Sequence, residues 1–230
     1  MLNLALYLDR LTKVQEEKLC NNIHLHTLCL IMRTESGGKE ETDTDCPMDG
    51  HSRVAALMEG NQHLPALTKF KLAALPPKTD TPRKHWDESH WYVGLEVAPM
   101  SIMRALETRC TNGRRMKSIN FSHVVLPAES ITSLLENASV GGLIFSAITT
   151  DYDQVLRFLK NRGGEVGLSN YDGHAFSLSK YIEKVEFHRV EPRFIAFVCA
   201  GITKHHAVKI SVEACEDQPL FNRTNLARCA

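Results

Sequence analysis

Apolar and polar positions change period several times along this chain. Leu4, Leu8, Leu11 and Gln15 share one stripe, with Tyr7, Val14 and Leu19 beside it, which predicts a helix over 2–20, followed by an apolar stretch from Ile23 to Met32. Residues 33–45 carry Gly37-Gly38 and the acids Glu35, Glu40, Glu41, Asp43 and Asp45 with few apolar groups, the composition of a loop. Helical spacing returns over 52–59 through Val54, Leu57 and Met58, and Gly60-Asn61 can stop it. Pro76-Pro77 and Pro82 make 76–89 a connector, so residues 1–75 read as mostly helical.

Alternation begins at His90, where Trp91, Val93, Leu95 and Val97 interleave with Tyr92, Gly94 and Glu96 as in a half-buried strand. Residues 101–110 read as helix, 119–126 as strand and 130–137 as a short helix. A helix over 152–161 has Thr150 or Asp151 as its cap and Gly163-Gly164 as its stop. Residues 174–178, 185–190, 194–200 and 207–212 read as strands, and no internal repeat is discerned. The expected fold class is α+β: one domain over 1–230, a helical N-terminal region packed on a central mixed β-sheet, with 90–215 carrying the sheet.

Composition narrows the function classes. Basic and acidic side chains number 27 each, so no net field draws the chain to nucleic acid or to an anionic membrane. The seven cysteines, at 20, 29, 46, 110, 199, 215 and 229, have no C-x-x-C spacing, which argues for reduced thiols in a cytosol and against a disulfide framework or zinc ribbon. No apolar run reaches the roughly 18 residues of a spanning helix, and no basic n-region precedes the first apolar stretch, so neither membrane insertion nor a Sec-type signal is expected.

His90 is the leading candidate for chemistry. A strand can hold an imidazole while leaving one face free to act as a base, and alternation places Glu96 on the same side to orient it. The competing reading is a strand-edge histidine packed near Trp86 and Trp91. A second constellation sets His174 and Glu191 on successive strands with Cys46 as nucleophile, since Pro47 can open a helix whose N-terminus favours a thiolate; Asp43 and Asp45 oppose that ionisation. His206 with Asn222 is a parallel option. His85 and His90 are spaced for a metal, but no further ligands lie at a recognised spacing, so no metal site is expected. Arg114, Arg115 and Lys117 form a compact basic turn that either lies in solvent or contacts a phosphate.

The run His90-Trp91-x-Val93-x-Leu95-Glu96 resembles the histidine strand of the cysteine-peptidase clan that contains ubiquitin-like-protein proteases and YopJ-like acetyltransferase effectors. Met48-Asp49 with Val54, Ala56-Leu57, Asn61, Pro65 and Leu67 is similar to the segment preceding that histidine, and Asp172 to Leu178 to the nucleophile segment. Gly173 stands at the position of the family's cysteine, and Val166 and Gly167 lie where its oxyanion glutamine belongs. The resemblance implies a cysteine-peptidase-like scaffold of a bacterial effector. In it His90 is the base, Glu96 or Glu107 its orienter and Glu129 a poorer one, while the nucleophile is lost. It further implies acyl transfer from acetyl-coenzyme A or peptide cleavage, an inositol phosphate on the basic turn, a host protein as substrate and delivery by a non-Sec route. The alternatives are a non-catalytic protein-interaction module using the same surface, and a papain-like peptidase built on Cys46, His174 and Glu191.

Overall fold

The computed structural model describes residues 2–7, 17–19, 21–33, 50–59, 64–75, 95–112, 115–151, 153–155, 157, 177–202 and 207–213. Ten strands alternate with helices: β1 (Leu2–Tyr7), β2 (Leu25–Arg33), α1 (Gly50–Glu59), β3 (Lys69–Leu75), β4 (Glu96–Val97), α2 (Met100–Thr111), β5 (Met116–Ser122), β6 (Val124–Leu126), α3 (Ala128–Asn137), β7 (Val140–Ser146), β8 (Thr149–Thr150), β9 (Lys184–His188), α4 (Pro192–Ala200) and β10 (Lys209–Glu213). The class is mixed α and β.

Seven of the strands form one sheet in the order β1-β2-β3-β5-β7-β9-β10, and β4-β6-β8 form a second, shorter one. Each long strand therefore lies beside the next long strand in the chain. Among the described residues every strand pairing is parallel, which departs from the mixed sheet expected. Parallel neighbours need a return crossover; from β3 to β9 each crossover holds a short second-sheet strand followed by helix, while α1 is described between β2 and β3 and α4 between β9 and β10. The result is a coil that advances by one strand per turn, a solenoid.

The repeat that sequence reading missed is plain in register. Met116 pairs with Val140 and Phe121 with Phe145, and in the short sheet Val125 pairs with Thr149, each 24 positions on. After the long strand the chain turns a corner at a left-handed residue: His123, Ala147 and Arg189 have φ of 57°, 48° and 53°. Their amides continue the ladder, His123 N–H donating to Ser146 O and Ala147 N–H to His188 O. Prolines mark the starts of three helices, Pro99 and Pro127 at the N-caps of α2 and α3 and Pro192 in the first turn of α4, where a missing N–H costs little.

Alternation along the strands separates a buried face from an open one. Inward positions stack across the sheet in two columns. One runs through Leu28, Phe70, Ile119, Leu143 and Val185, the other through Leu30, Leu72, Phe121, Phe145 and Phe187, and all are buried. Helices line the opposite side of the core, α2 burying Ile102, Met103, Ala105 and Leu106, and α3 burying Ile131, Leu134 and Leu135.

Several sequence expectations change. Residues 2–7 are a strand, because Leu4 and Leu6 face inward at a spacing of two and pair with β2; the helical stripe through Leu4, Leu8 and Leu11 fits the same leucines equally well. Ile23–Met32 supplies β2 and residues 69–75 supply β3, so the first 75 residues are not mostly helical. Residues 194–200 are helix instead of strand: Phe194, Ile195, Phe197 and Val198 are buried at helical spacing and Pro192 sits in the first turn. The helices over 101–110 and 130–137 are found where expected. Asp151 accepts the Gln154 amide at 3.0 Å, the capping bond anticipated for the helix whose described residues are 153–155 and 157.

Candidate binding face

The open side of the seven-stranded sheet is built by the residues that alternate with the core columns. One outward row runs across the strands through Thr27, Lys69, Ser118, Gly142, Lys184 and Lys209. The next runs through Cys29, Lys71, Asn120, Ile144, Glu186 and Ser211, and a third ends in Ser122, Ser146, His188 and Glu213. These positions are part-exposed or exposed, while the residues of the two core columns that alternate with them from β2 to β9 are buried. No register change scrambles the rows between β2 and β10.

A cleft of about 600 Å³ opens at the N-terminal ends of β5, β7 and β9. Gly141 and Gly142 form its floor, flanked by Arg115, Lys117, Lys184 and Glu183. The hollow exists because two successive glycines leave no side chain between neighbouring strands. A Cβ on Gly141 would come within 3.2 Å of Lys117 O, whereas one on Gly142 would meet nothing closer than 3.7 Å. Close backbone approach thus explains Gly141; Gly142 leaves free space.

Charge on this face is organised in a chain. Arg115 pairs with Glu183 across the cleft rim. Lys184 Nζ lies 2.5 Å from Glu186 Oε1. His188 follows two residues on: Nδ1–H donates to Glu213 Oε2 at 2.6 Å, and Nε2 lies 3.4 Å from Glu186 Oε2. The Glu186 carboxyl is held below its ordinary range, chiefly by the hydrogen bond from Lys184, with partial burial opposing and His188 assisting. Lys69, Lys117 and Lys209 have no carboxylate partner among the described residues.

The residues singled out from sequence fall in different places. His90, Cys46, Gly173, His174 and Arg114 lie outside the described residues, as do His85, His206 and Asn222. Glu96 is on β4 in the short sheet, part-exposed beside the exposed Val97. Glu107 is on α2 and accepts a hydrogen bond from Ser133 of α3, so it ties two helices together on the side away from the cleft. Glu191 precedes α4, its carbonyl accepting the amides of Phe194 and Ile195, and Glu129 is in the first turn of α3. The structure brings none of Glu96, Glu107 and Glu191 together. Arg115 and Lys117 do meet, at the cleft.

Among the described thiols, Cys110 and Cys199 are buried and Cys29 is half-buried. Burial pushes the Cys110 thiol up to about 12, with Arg109 opposing and Glu107 adding to the rise, and it also raises that of Cys29 against the pull of Lys71. Neither is a ready thiolate. Cys110 should therefore resist iodoacetamide at pH 8 in the folded chain and react once urea unfolds it; rapid modification in the native state would contradict its placement. The same shift sets a stability trend. Between pH 9 and about 12 the unfolded chain loses this proton while the folded chain keeps it, so stability falls as pH rises through that window.

Sequence reading missed Lys69, Lys184, Glu186 and Lys209 as neighbours. The signal lay in the apolar spacing: Met116-x-x-Ile119-x-Phe121-x-x-Val124, Val140-x-x-Leu143-x-Phe145-x-x-Ile148 and Ile182-x-x-Val185-x-Phe187-x-x-Val190 superpose, and put Ser118, Gly142 and Lys184 in one row. No described helix is long and apolar enough to cross a membrane. No protein-family model matches the chain, and no curated protein matches it either.

Proposed function

We propose that the chain is a protein-recognition module whose working surface is the open face of the seven-stranded sheet. The observation that carries this reading is the unbroken set of outward rows, mostly polar and part-exposed or exposed from β2 to β10, on a sheet whose other face is buried from β2 to β9. Coils of one strand and one helix each, with this apolar spacing, are the design of leucine-rich and related solenoids, which present an extended face to partners. Specificity on such a face comes from side-chain rows, with no catalytic group required.

The competing proposal, a thiol acyltransferase or peptidase scaffold of effector type acting on a host protein, draws on His90, Cys46, Gly173 and His174. It gains nothing from the described residues: Cys110 is deeply buried behind the sheet, and Glu96, Glu107 and Glu191 are dispersed.

Site-specific photo-crosslinking separates the two. A benzophenone side chain at Ser122 or Ile144, on the open face, is expected to capture discrete protein adducts in the cells that express the chain, and one at Asn137 on the exposed end of α3 is not. Equal capture at all three positions, or none at the sheet, would remove the reading. A thioester-forming probe that labels a cysteine of the folded chain would favour the enzyme.

A further inference from the structure

We infer that the cleft over Gly142 receives an extended acidic segment of a partner protein, with two carboxylates straddling the glycine floor. The inference rests on the recognition reading above and names the chemistry of what is recognised. Three observations converge on it.

The first is the charge of the row. Across successive strands it reads Lys69, Ser118, Gly142, Lys184, Lys209, with Lys117 and Arg115 at the adjoining rim. Of these cations, Arg115 and Lys184 are held by Glu183 and Glu186, which leaves Lys69, Lys117 and Lys209 to attract a ligand. The second is shape: Lys117 and Lys184 line an open hollow of about 600 Å³ floored by Gly141 and Gly142, and Lys69 and Lys209 stand beyond it at the two ends of the same row. The third is spacing. Lys69 and Lys209, the unpaired cations at the two ends of this row, are separated by four strand intervals of ~4.8 Å, or ~19 Å in all, and an extended chain advances ~3.3 Å per residue. Acidic side chains about six positions apart would then face the two flanks while the residues between cross the floor.

The mixed lining disfavours a polyphosphate. Glu183 and Glu186 sit in the same cleft and would repel a continuous run of phosphates, and with 27 residues of each sign the chain has no net field to gather a polyanion. A peptide can set its carboxylates at the lysine flanks and offer main-chain amides to Glu183 and Glu186.

The test uses the full chain and a fluorescein-labelled Gly/Ser peptide with two glutamates six positions apart, read by anisotropy. Binding is expected to weaken with salt, to vanish when the glutamates become glutamines, and to fall about tenfold or more in K69E/K117E/K209E, which spares both ion-paired cations. Gly142→Val fills the floor without a backbone clash and should abolish binding while the chain still unfolds cooperatively. Equal binding of the glutamine peptide, unchanged binding by the triple variant, or preferential binding of inositol hexakisphosphate or single-stranded RNA would overturn the inference. Failure here with face-specific crosslinks intact sinks only the acidic ligand; loss of the crosslinks as well sinks the recognition reading beneath it.

Discussion

Phe145→Ala should lower the unfolding free energy by about 3–5 kcal/mol, the range for deleting a fully buried aromatic side chain. The ring sits at the centre of a ladder that crosses three coils. It stacks on Phe121 at 6.0 Å between centroids and on Phe187 at 5.8 Å, and takes the edge of Phe194 at 5.1 Å. Phe194 comes from α4, so the same ring joins the sheet to the helical layer. Its loss should also reduce cooperativity. In a solenoid each coil is held chiefly by its neighbours, and a gap between β5 and β9 uncouples what lies on either side. Urea denaturation followed by far-UV circular dichroism should show a lower midpoint and a broader transition. Phe145→Leu, which keeps most of the volume, should cost markedly less. A Phe145→Ala midpoint within about 1 kcal/mol of the parent would mean that the ladder does not hold the coils together.

What could be read from sequence and what could not has a single physical origin: apolar spacing reports a local period, while a solenoid is specified by a long one. The helices at Met100–Thr111 and Ala128–Asn137 were legible because their buried faces recur every three or four residues between clear stops. Residues 2–7 were not, because Leu4 and Leu6 satisfy a strand and Leu4 and Leu8 a helix, and only pairing with β2 decides. Residues 194–200 were misread because the apolar run Phe194-Ile195-Ala196-Phe197-Val198 shows little contrast of either period, and the proline at its start was the better guide. The site was hidden for a related reason. Lys69, Ser118, Gly142, Lys184 and Lys209 are far apart in the chain, and each is ordinary where it stands. Stacking the coils in register assembles them. Of the basic turn picked out from sequence, Arg115 and Lys117 do line the cleft, but through the sheet edge they share with Gly141 and Glu183, a grouping no local motif could announce.

Arg109→Met should destabilise the fold by about 3 kcal/mol and release the end of α1, even though it removes a charge from the interior. Arg109 is only 4% exposed on α2. Its Nη1 donates to Met58 O at 3.3 Å and its Nη2 to Leu64 O at 2.5 Å, so one guanidinium serves the last turn of α1 and the loop leading towards β3. Met58 O is one of the carbonyls that the end of α1 leaves without an internal partner, where a cation is favoured by the helix dipole as well, and Leu64 O also accepts the Leu67 amide. Methionine retains the packed stem and avoids the cost of burying a charge. It also leaves Met58 O without its guanidinium donor and Leu64 O with the Leu67 amide alone, and it unties α1 from the loop, which is why the balance goes against it. Arg109→Lys should recover only part of the loss, since a single ammonium lacks the planar fork that reaches both acceptors. Hydrogen exchange distinguishes this role from generic packing: in Arg109→Met the amides near the C-terminal end of α1 should lose protection before those of β5 and β7. Unchanged exchange in α1, with stability lost evenly across the coils, would show that the guanidinium acts only by filling space.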